Sequence, residues 1–359
     1  MPDQWYVACR SEELARKPRA VTVHGTPLVL FRDAEGEPGA LLDRCVHRNA
    51  PLSEGRVLPS GQLECRYHGW RFDVEGRCRH VPCLIEGEGS EPGEGGAGIP
   101  AAEGRSVEAC AVLERDGFVW VYADPGEEPE GEPFPLPLLD APGYTTVVRR
   151  FDVEGTLHAT AENILDVPHT AYLHRGLFRG GEPETRITAE VRRWPDRVEA
   201  EYMGESRPPG LAARLLSPSG GAVQHWDRFI LPSVAQVEYR MGPENHFLVT
   251  NLLTPVSDFA TRIFAVITFR VRVPGWILRP LLTPVAVRIF RQDAEMLELQ
   301  SETIRRFGGE RFTSTDVDVL GREIWALLRR AERGHAPSPG PKPGAGGEPE
   351  RVRRIELLV

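Results

Sequence analysis

With 359 residues the chain is long enough for two domains of ordinary size, each burying its own core. A formal charge of −9, with 26% charged residues and no Lys/Arg-rich block, argues against nucleic acid or an anionic membrane as the main partner. No uninterrupted apolar run reaches the length of a membrane span and the first ten residues lack a secretory pattern, so a cytoplasmic protein without a transmembrane span is expected.

In chain order, residues 20–23, 28–31, 40–42 and 117–122 are short β-type runs separated by Asp, Glu, Gly and Pro turns. They predict a small all-β domain over residues 1–123. Residues 86–98 are Gly/Glu-rich and read as a solvated loop, and residues 124–143 as an acidic, Pro-rich linker. Strand-like runs then recur at 145–153, 186–191, 198–203, 223–231, 234–239, 247–253 and 263–273. With the helices between and after them they predict an α+β domain over 144–333, one large antiparallel sheet flanked by helices. The clearest helix is 285–307, whose apolar stripe is Ala286, Ile289, Phe290, Met296, Leu297 and Ile304; a last helix spans 321–333. Residues 334–359 read as a flexible Pro/Gly tail. The most lipid-like stretch, 276–290, is read as core packing rather than membrane contact.

All six cysteines fall in the first third, and a disulfide scaffold is not expected in a chain of this length. Two of them stand beside histidines: Cys45-Val46-His47 and Cys65-Arg66-Tyr67-His68. Zinc accepts two thiolates and two imidazoles, but structural zinc sites usually pair like ligands in sequence. One Cys and one His from each loop suit a [2Fe-2S] cluster in which one iron takes both thiolates and the other both imidazoles. Arg48, Arg66, Arg71, Arg77 and Arg79 crowd the same region, either as a solvated surface or as a docking face for an acidic electron donor.

In the second domain, Asn163, Asp166 and His169 are spaced by three and share a helical face. His169 and His174 are five apart, about 140° around an ideal helix, so they do not chelate one ion from a regular helix. The helix must then be irregular between Asp166 and His174, and Pro168 supplies a reason. A carboxylate three before a ligand histidine suits a role in orienting that ring. Asp293, a charge on the apolar stripe of 285–307, is the choice for a third, anionic ligand; Glu295 and Glu298 fall off the stripe. Two histidines and one carboxylate make the facial triad of Fe(II) oxygenases.

The pair Cys-x-His and Cys-x2-His resembles a Rieske domain. Ala50 and Tyr67 stand where respiratory-type members carry a disulfide, which points to the oxygenase or ferredoxin branch. With Asn163-x2-Asp166-x2-His169-x4-His174 and Gln292-Asp293, residues 5–333 resemble the terminal oxygenase subunits of Rieske non-haem iron oxygenases, on the vanillate O-demethylase and phthalate oxygenase side. The resemblance implies a helix-grip-like catalytic domain, a mononuclear Fe(II) held by His169, His174 and Asp293, and catalytic roles for Asp166 and Asn163. It also implies a homotrimer in which Asp166 bridges His169 to His68 of a neighbouring copy as the electron path. A reductase or ferredoxin, dioxygen and a small organic substrate complete the expected system, with hydroxylation or oxidative demethylation as the outcome. Trp226, Phe229, Met241, Phe247 and Asn251 are candidate pocket residues. A sterol-type hydroxylase or desaturase of the same family, and a Rieske electron carrier without oxygenase activity, are the alternatives.

Overall fold

The computed structural model describes residues 1, 3–82, 104–174, 186–205, 223–242, 245–271, 275–335 and 347–358. The loop expected at 86–98 lies outside them, as do the side chains of 276–283. The chain forms two compact units, Met1–Pro133 and Phe134–Val359, whose boundary falls within the stretch expected to link them.

Unit 1 is all β. A three-stranded sheet orders β1 (Trp5–Arg10), β11 (Phe118–Tyr122) and β10 (Val112–Arg115); a four-stranded sheet orders β2 (Arg19–Val23), β3 (Thr26–Arg32), β4 (Pro38–Leu42) and β9 (Ala109–Cys110). Alternating apolar residues of these strands, among them Val23, Leu28, Leu30 and Val121, fill one core. A third sheet of very short strands, β5 (Arg56–Val57), β6 (Leu63–Glu64), β7 (Arg71–Phe72) and β8 (Cys78–His80), carries the two Cys/His loops. Their bases are anchored by Leu52, Leu63 and Phe72, all fully buried.

Unit 2 is an eight-stranded antiparallel sheet of β12 (Thr145–Val153), β13 (Arg186–Arg193), β14 (Arg197–Met203), β15 (Val223–Ile230), β16 (Val234–Met241), β17 (Asn245–Ser257), β18 (Ala260–Arg270) and β19 (Arg351–Leu358). Its order is β12-β18-β17-β16-β15-β14-β13-β19, so all but the last strand follow a meander closed by β12 at one edge. The two-residue period gives the sheet two different faces. Ala189, Val198, Ala200, Phe229, Ala235, Leu253, Ile263 and Ala265 point inward against three helices. On the outer face β13 to β16 carry a ladder of ion pairs, in which Arg192 meets Glu190, Glu199 and Glu201, and Arg228 meets Glu199 and Glu238, while Leu248, Leu252, Phe264 and Val266 of β17 and β18 are buried.

The helices are α1 (Leu157–Leu165), α2 (Gly275–Phe307) and α3 (Gly321–Arg330). Thr156 caps α1 by accepting from the Ala159 N–H at 3.1 Å. α2 begins ten residues earlier than expected, running through Pro280 and Pro284. Met296, placed on its apolar stripe by sequence, is 46% exposed; Leu297 and Ile304 are the residues that bury.

The tail departs from expectation. Residues 351–358, read as part of a flexible segment, form β19 and pair with β13 along its whole length. The physical reason is alternation: Ile355 and Leu357 turn inward and are buried, while Arg354 bonds Glu190 and Arg351 lies beside Glu323.

Candidate metal centres

In unit 1 the two Cys/His loops are built alike. The Cys45 N–H donates to Ala50 O (2.8 Å) and Cys45 O accepts from the Asn49 N–H (2.9 Å); the Cys65 N–H donates to Trp70 O (2.7 Å) and Cys65 O accepts from the Gly69 N–H (3.0 Å). The fourth residue after each cysteine has a left-handed backbone, Asn49 at φ 58° and Gly69 at φ 71°. This geometry turns both loops in the same way, so like side chains meet. The thiols point inward and are buried, 1% and 2% exposed. The imidazoles lie toward the surface, His47 partly exposed and His68 exposed, with ring centroids 4.5 Å apart. Trp70 stacks on His47 at 4.8 Å and Tyr67 packs on His68 at 3.9 Å.

A tetrahedral zinc would draw all four donors within about 4 Å of one another. No three of them lie within 4.8 Å. Thiol faces thiol and imidazole faces imidazole, the donor distribution of a two-iron cluster. Nδ1 of His47 is buried with no hydrogen-bond partner, an orphan that a metal would satisfy. Desolvation, helped by His68 and Arg48, holds His47 below the ordinary imidazole range and so in the neutral form that ligates. Burial pushes the Cys45 thiol up to about 11 in the ion-free loop, a preference that bound iron reverses. Of the nearby arginines, Arg66, Arg71 and Arg79 pair with Glu54, Glu64 and Asp73. Arg48 and Arg77 are exposed without an ion-pair partner among the described residues.

In unit 2, α1 stops at Leu165 because Asp166 turns extended (φ −92°, ψ 110°). Pro168 has no N–H to continue the ladder, and Pro168–Ala171 form a tight 3-10 turn. The break swings His174 back toward His169: their Nε2 atoms are 3.3 Å apart. From α2, Asp293 Oδ1 lies 3.0 Å from His174 Nε2 and 3.6 Å from His169 Nε2. A triangle with these sides has a circumradius of about 1.9 Å, so all three donors could hold one ion at an ordinary bond length of about 2.1 Å. Among the described residues this is the one group of three such donors within 4.8 Å.

Neighbouring side chains fix the rings. Asp166 Oδ2 accepts from the His169 N–H at 3.2 Å and lies 3.4 Å from its Nδ1; Gln292 Oε1 is 3.1 Å from His174 Nδ1. Each contact leaves Nε2 facing the centre of the triangle. Asn163 Nδ2 reaches Asp293 Oδ1 at 3.5 Å. In the ion-free site burial disfavours a charged His169, but the Asp166 and Asp293 carboxylates outweigh it and push its pKa up to about 9. A divalent cation takes the place of that proton. Glu295 and Glu298 are exposed on α2. Sequence reasoning gave Gln292 no contact, and it missed the buried group of His225 between Asp227 and Glu205, for which histidine and carboxylate two apart on a strand was the available signal.

The model of the Rieske [2Fe-2S] domain matches residues 4–88, and that of the vanillate O-demethylase oxygenase C-terminal domain matches residues 153–333, half of the chain. The chain belongs to the Rieske non-haem iron oxygenases. It is 37% identical over 273 residues to the oxygenase component of dicamba O-demethylase from Stenotrophomonas maltophilia, covering 72% of this chain and 76% of that one. Identity to the vanillate O-demethylase oxygenase subunit of Pseudomonas sp. (strain HR199 / DSM 7063) is 26% over 351 residues, 91% and 93% of the two chains. Dicamba monooxygenase bound to dicamba has the same fold, with a TM-score of 0.72 at 26% identity over 92% of this chain and 97% of that one; the same enzyme is also known with non-heme iron and dicamba. As a Rieske oxygenase the chain is an oxygenase component that carries a [2Fe-2S] cluster and a mononuclear iron, uses dioxygen and depends on an electron-donating partner. The reading as an electron carrier without oxygenase activity is set aside. Among the described residues no helix is long and apolar enough to cross a membrane.

Proposed function

We propose that this oxygenase component removes a methyl group from a small aromatic ether, with the mononuclear iron held by His169, His174 and Asp293 and the cluster by Cys45, Cys65, His47 and His68. The observation that carries this reading is the convergence of two imidazoles and one carboxylate at 3.0–3.6 Å, with Asp166 against the outer nitrogen of His169. Iron bound there supplies electron transfer to dioxygen. The residues supply the rest. Asp166 and Gln292 orient the two rings, and Asn163 steadies the Asp293 carboxylate. Arg48, exposed beside His47, is read as part of the face toward an acidic reductase or ferredoxin.

The assembly is read as a cytoplasmic homotrimer in which Asp166 links His169 to His68 of the next copy. Hydroxylating the methyl of an aryl ether consumes one dioxygen, two electrons from the partner and two protons. The resulting hemiacetal collapses to a phenol and formaldehyde without a further catalytic residue, which is why dealkylation asks little of the site beyond placement. Its two O-demethylase relatives support that outcome over sterol hydroxylation or desaturation. The test is oxygen uptake and formaldehyde release from a panel of methoxyarenes, with a reductase and ferredoxin supplied. The Asp166→Asn protein is expected to keep both metals and lose turnover. Oxygen uptake without formaldehyde from any methoxyarene would contradict demethylation, and an active Asp166→Asn protein would contradict the bridging role.

A further inference from the structure

The inner face of the eight-stranded sheet carries six ionisable side chains other than tyrosine among the described residues. Five are neutralised: Arg193 and Arg351 by Glu323, Arg353 by Asp316, and His225 with Asp227 by each other and by Glu205. The sixth is Arg149 on the edge strand β12. Its Nη1 donates to Val148 O at 2.9 Å, and no carboxylate among the described residues stands within ion-pair distance. A partly buried guanidinium with most of its donors unused is costly to keep in an apolar layer unless something anionic visits it.

The register says where such a visitor lies. Arg149 pairs with Ala265, Ala265 with Asn251, and Asn251 with Ala235, so all four side chains form one cross-strand row. Arg149 and Asn251 are two strand spacings apart, about 9.6 Å, with only a methyl between them. Asn251 donates its Nδ2 hydrogen to Ala235 O at 3.2 Å, which leaves Oδ1 as a buried acceptor with no partner. That acceptor repels a carboxylate, so the anion is confined to the Arg149 side.

The row also marks a border. One step beyond it, Val147, Ile267, Val249 and Val237 are partly exposed although they lie on the inner face, whereas on its other side Ile263 and Leu253 are packed. α1, which leads into the His169/His174 turn, packs on β15 to β18, and α2 packs on β12. Phe290, one turn before Asp293, stacks at 4.1 Å on Phe151, the inner-face neighbour of Arg149.

We propose that Arg149 selects substrates that carry an anionic group, a carboxylate lying over Ala265 against the guanidinium while the apolar part of the molecule covers Ile267 and Val249. This deepens the demethylase reading and rests on it for the identity of the site.

The experiment is calorimetric titration of the holoprotein, and of the protein freed of mononuclear iron, with 3-methoxybenzoate and with its neutral counterpart 3-methoxybenzyl alcohol. The wild type is expected to favour the anion. Arg149→Met should weaken 3-methoxybenzoate binding about 10- to 100-fold and leave the alcohol unchanged. Arg149→Lys should retain part of the preference, which separates loss of charge from loss of fold. Equal affinity for the two probes, no binding of either, or a preference that survives in Arg149→Met overturns the assignment. Formaldehyde release from the same samples reports on demethylation separately. Anion binding through Arg149 without formaldehyde contradicts the demethylase reading and leaves the anion site standing; formaldehyde from the alcohol alone does the reverse.

Discussion

Replacing His225 with glutamine should remove a specific pH dependence of stability. His225 is 1% exposed, with Nδ1 3.2 Å from Glu205 Oε1 and Nε2 3.0 Å from Asp227 Oδ1, and it lies between the rings of Tyr202 and Tyr239 at 4.7 and 4.0 Å. Burial disfavours the imidazolium, but Asp227 and Glu205 outweigh burial and raise its pKa from 6.5 to about 9. A pKa raised on folding means that the folded state binds the proton more tightly. Its stabilisation is therefore complete below pH 6.5 and lost as pH rises through 9. The shift corresponds to at most about 3 kcal/mol, and burial of Asp227, which raises that carboxyl, makes the net smaller. In a unit of this size the upper bound is about 6–12 °C in Tm. Calorimetric scans of wild type and His225→Gln from pH 6 to 9, at fixed low salt, measure it. Groups that do not touch His225 cancel in the difference, including Glu162, whose pKa burial raises to about 7. The gap between the two proteins should narrow steadily with rising pH; a gap that is constant or widens refutes the charged-histidine assignment.

Gly69→Ala should disturb cluster incorporation. The backbone there is left-handed (φ 71°) and a Cβ would meet Pro82 Cγ at 2.9 Å, so the loop must shift at a cost of about 1–2 kcal/mol. Visible absorbance per protein should fall, and an unchanged spectrum would show that the turn tolerates a side chain. Removing residues 348–359 takes away the buried Ile355 and Leu357 and should cost about 3–6 kcal/mol, read as an earlier denaturant midpoint for unit 2. An unchanged midpoint would mean that β19 does not hold the sheet edge.

Much of the metal chemistry was legible because its constraints are local. Cys45, His47, Cys65 and His68 lie within two short loops, and the paired thiols and paired imidazoles follow from two turns of the same shape. The five-residue spacing of His169 and His174 required a broken helix, and Pro168 said where. Asp293 was legible as a charge on a buried stripe. What stayed hidden depends on partners distant in sequence. The alternation of Ile355 and Leu357 is visible, but nothing nearby announces that β13 offers a free edge. Trp226, a candidate pocket residue, turns to the outer face with Arg228 and Arg240 over its ring. Phe229 and Asn251 face inward, yet Phe229 is packed in the core. A two-residue period shows that a strand has two faces without showing which one the helices cover. For the same reason the inward arginine, Arg149, was not separable from the outward Arg150 before the register was known.

An iron held by His169, His174 and Asp293 independently of the cluster should be removable on its own. Iron content per chain, measured with the cluster's visible and EPR spectra in wild type and Asp293→Ala, decides this. About three irons are expected in the wild type, two from the cluster and one from the triad, and about two in the variant with the cluster signal unchanged. An Asp293→Ala protein that keeps its third iron would contradict it.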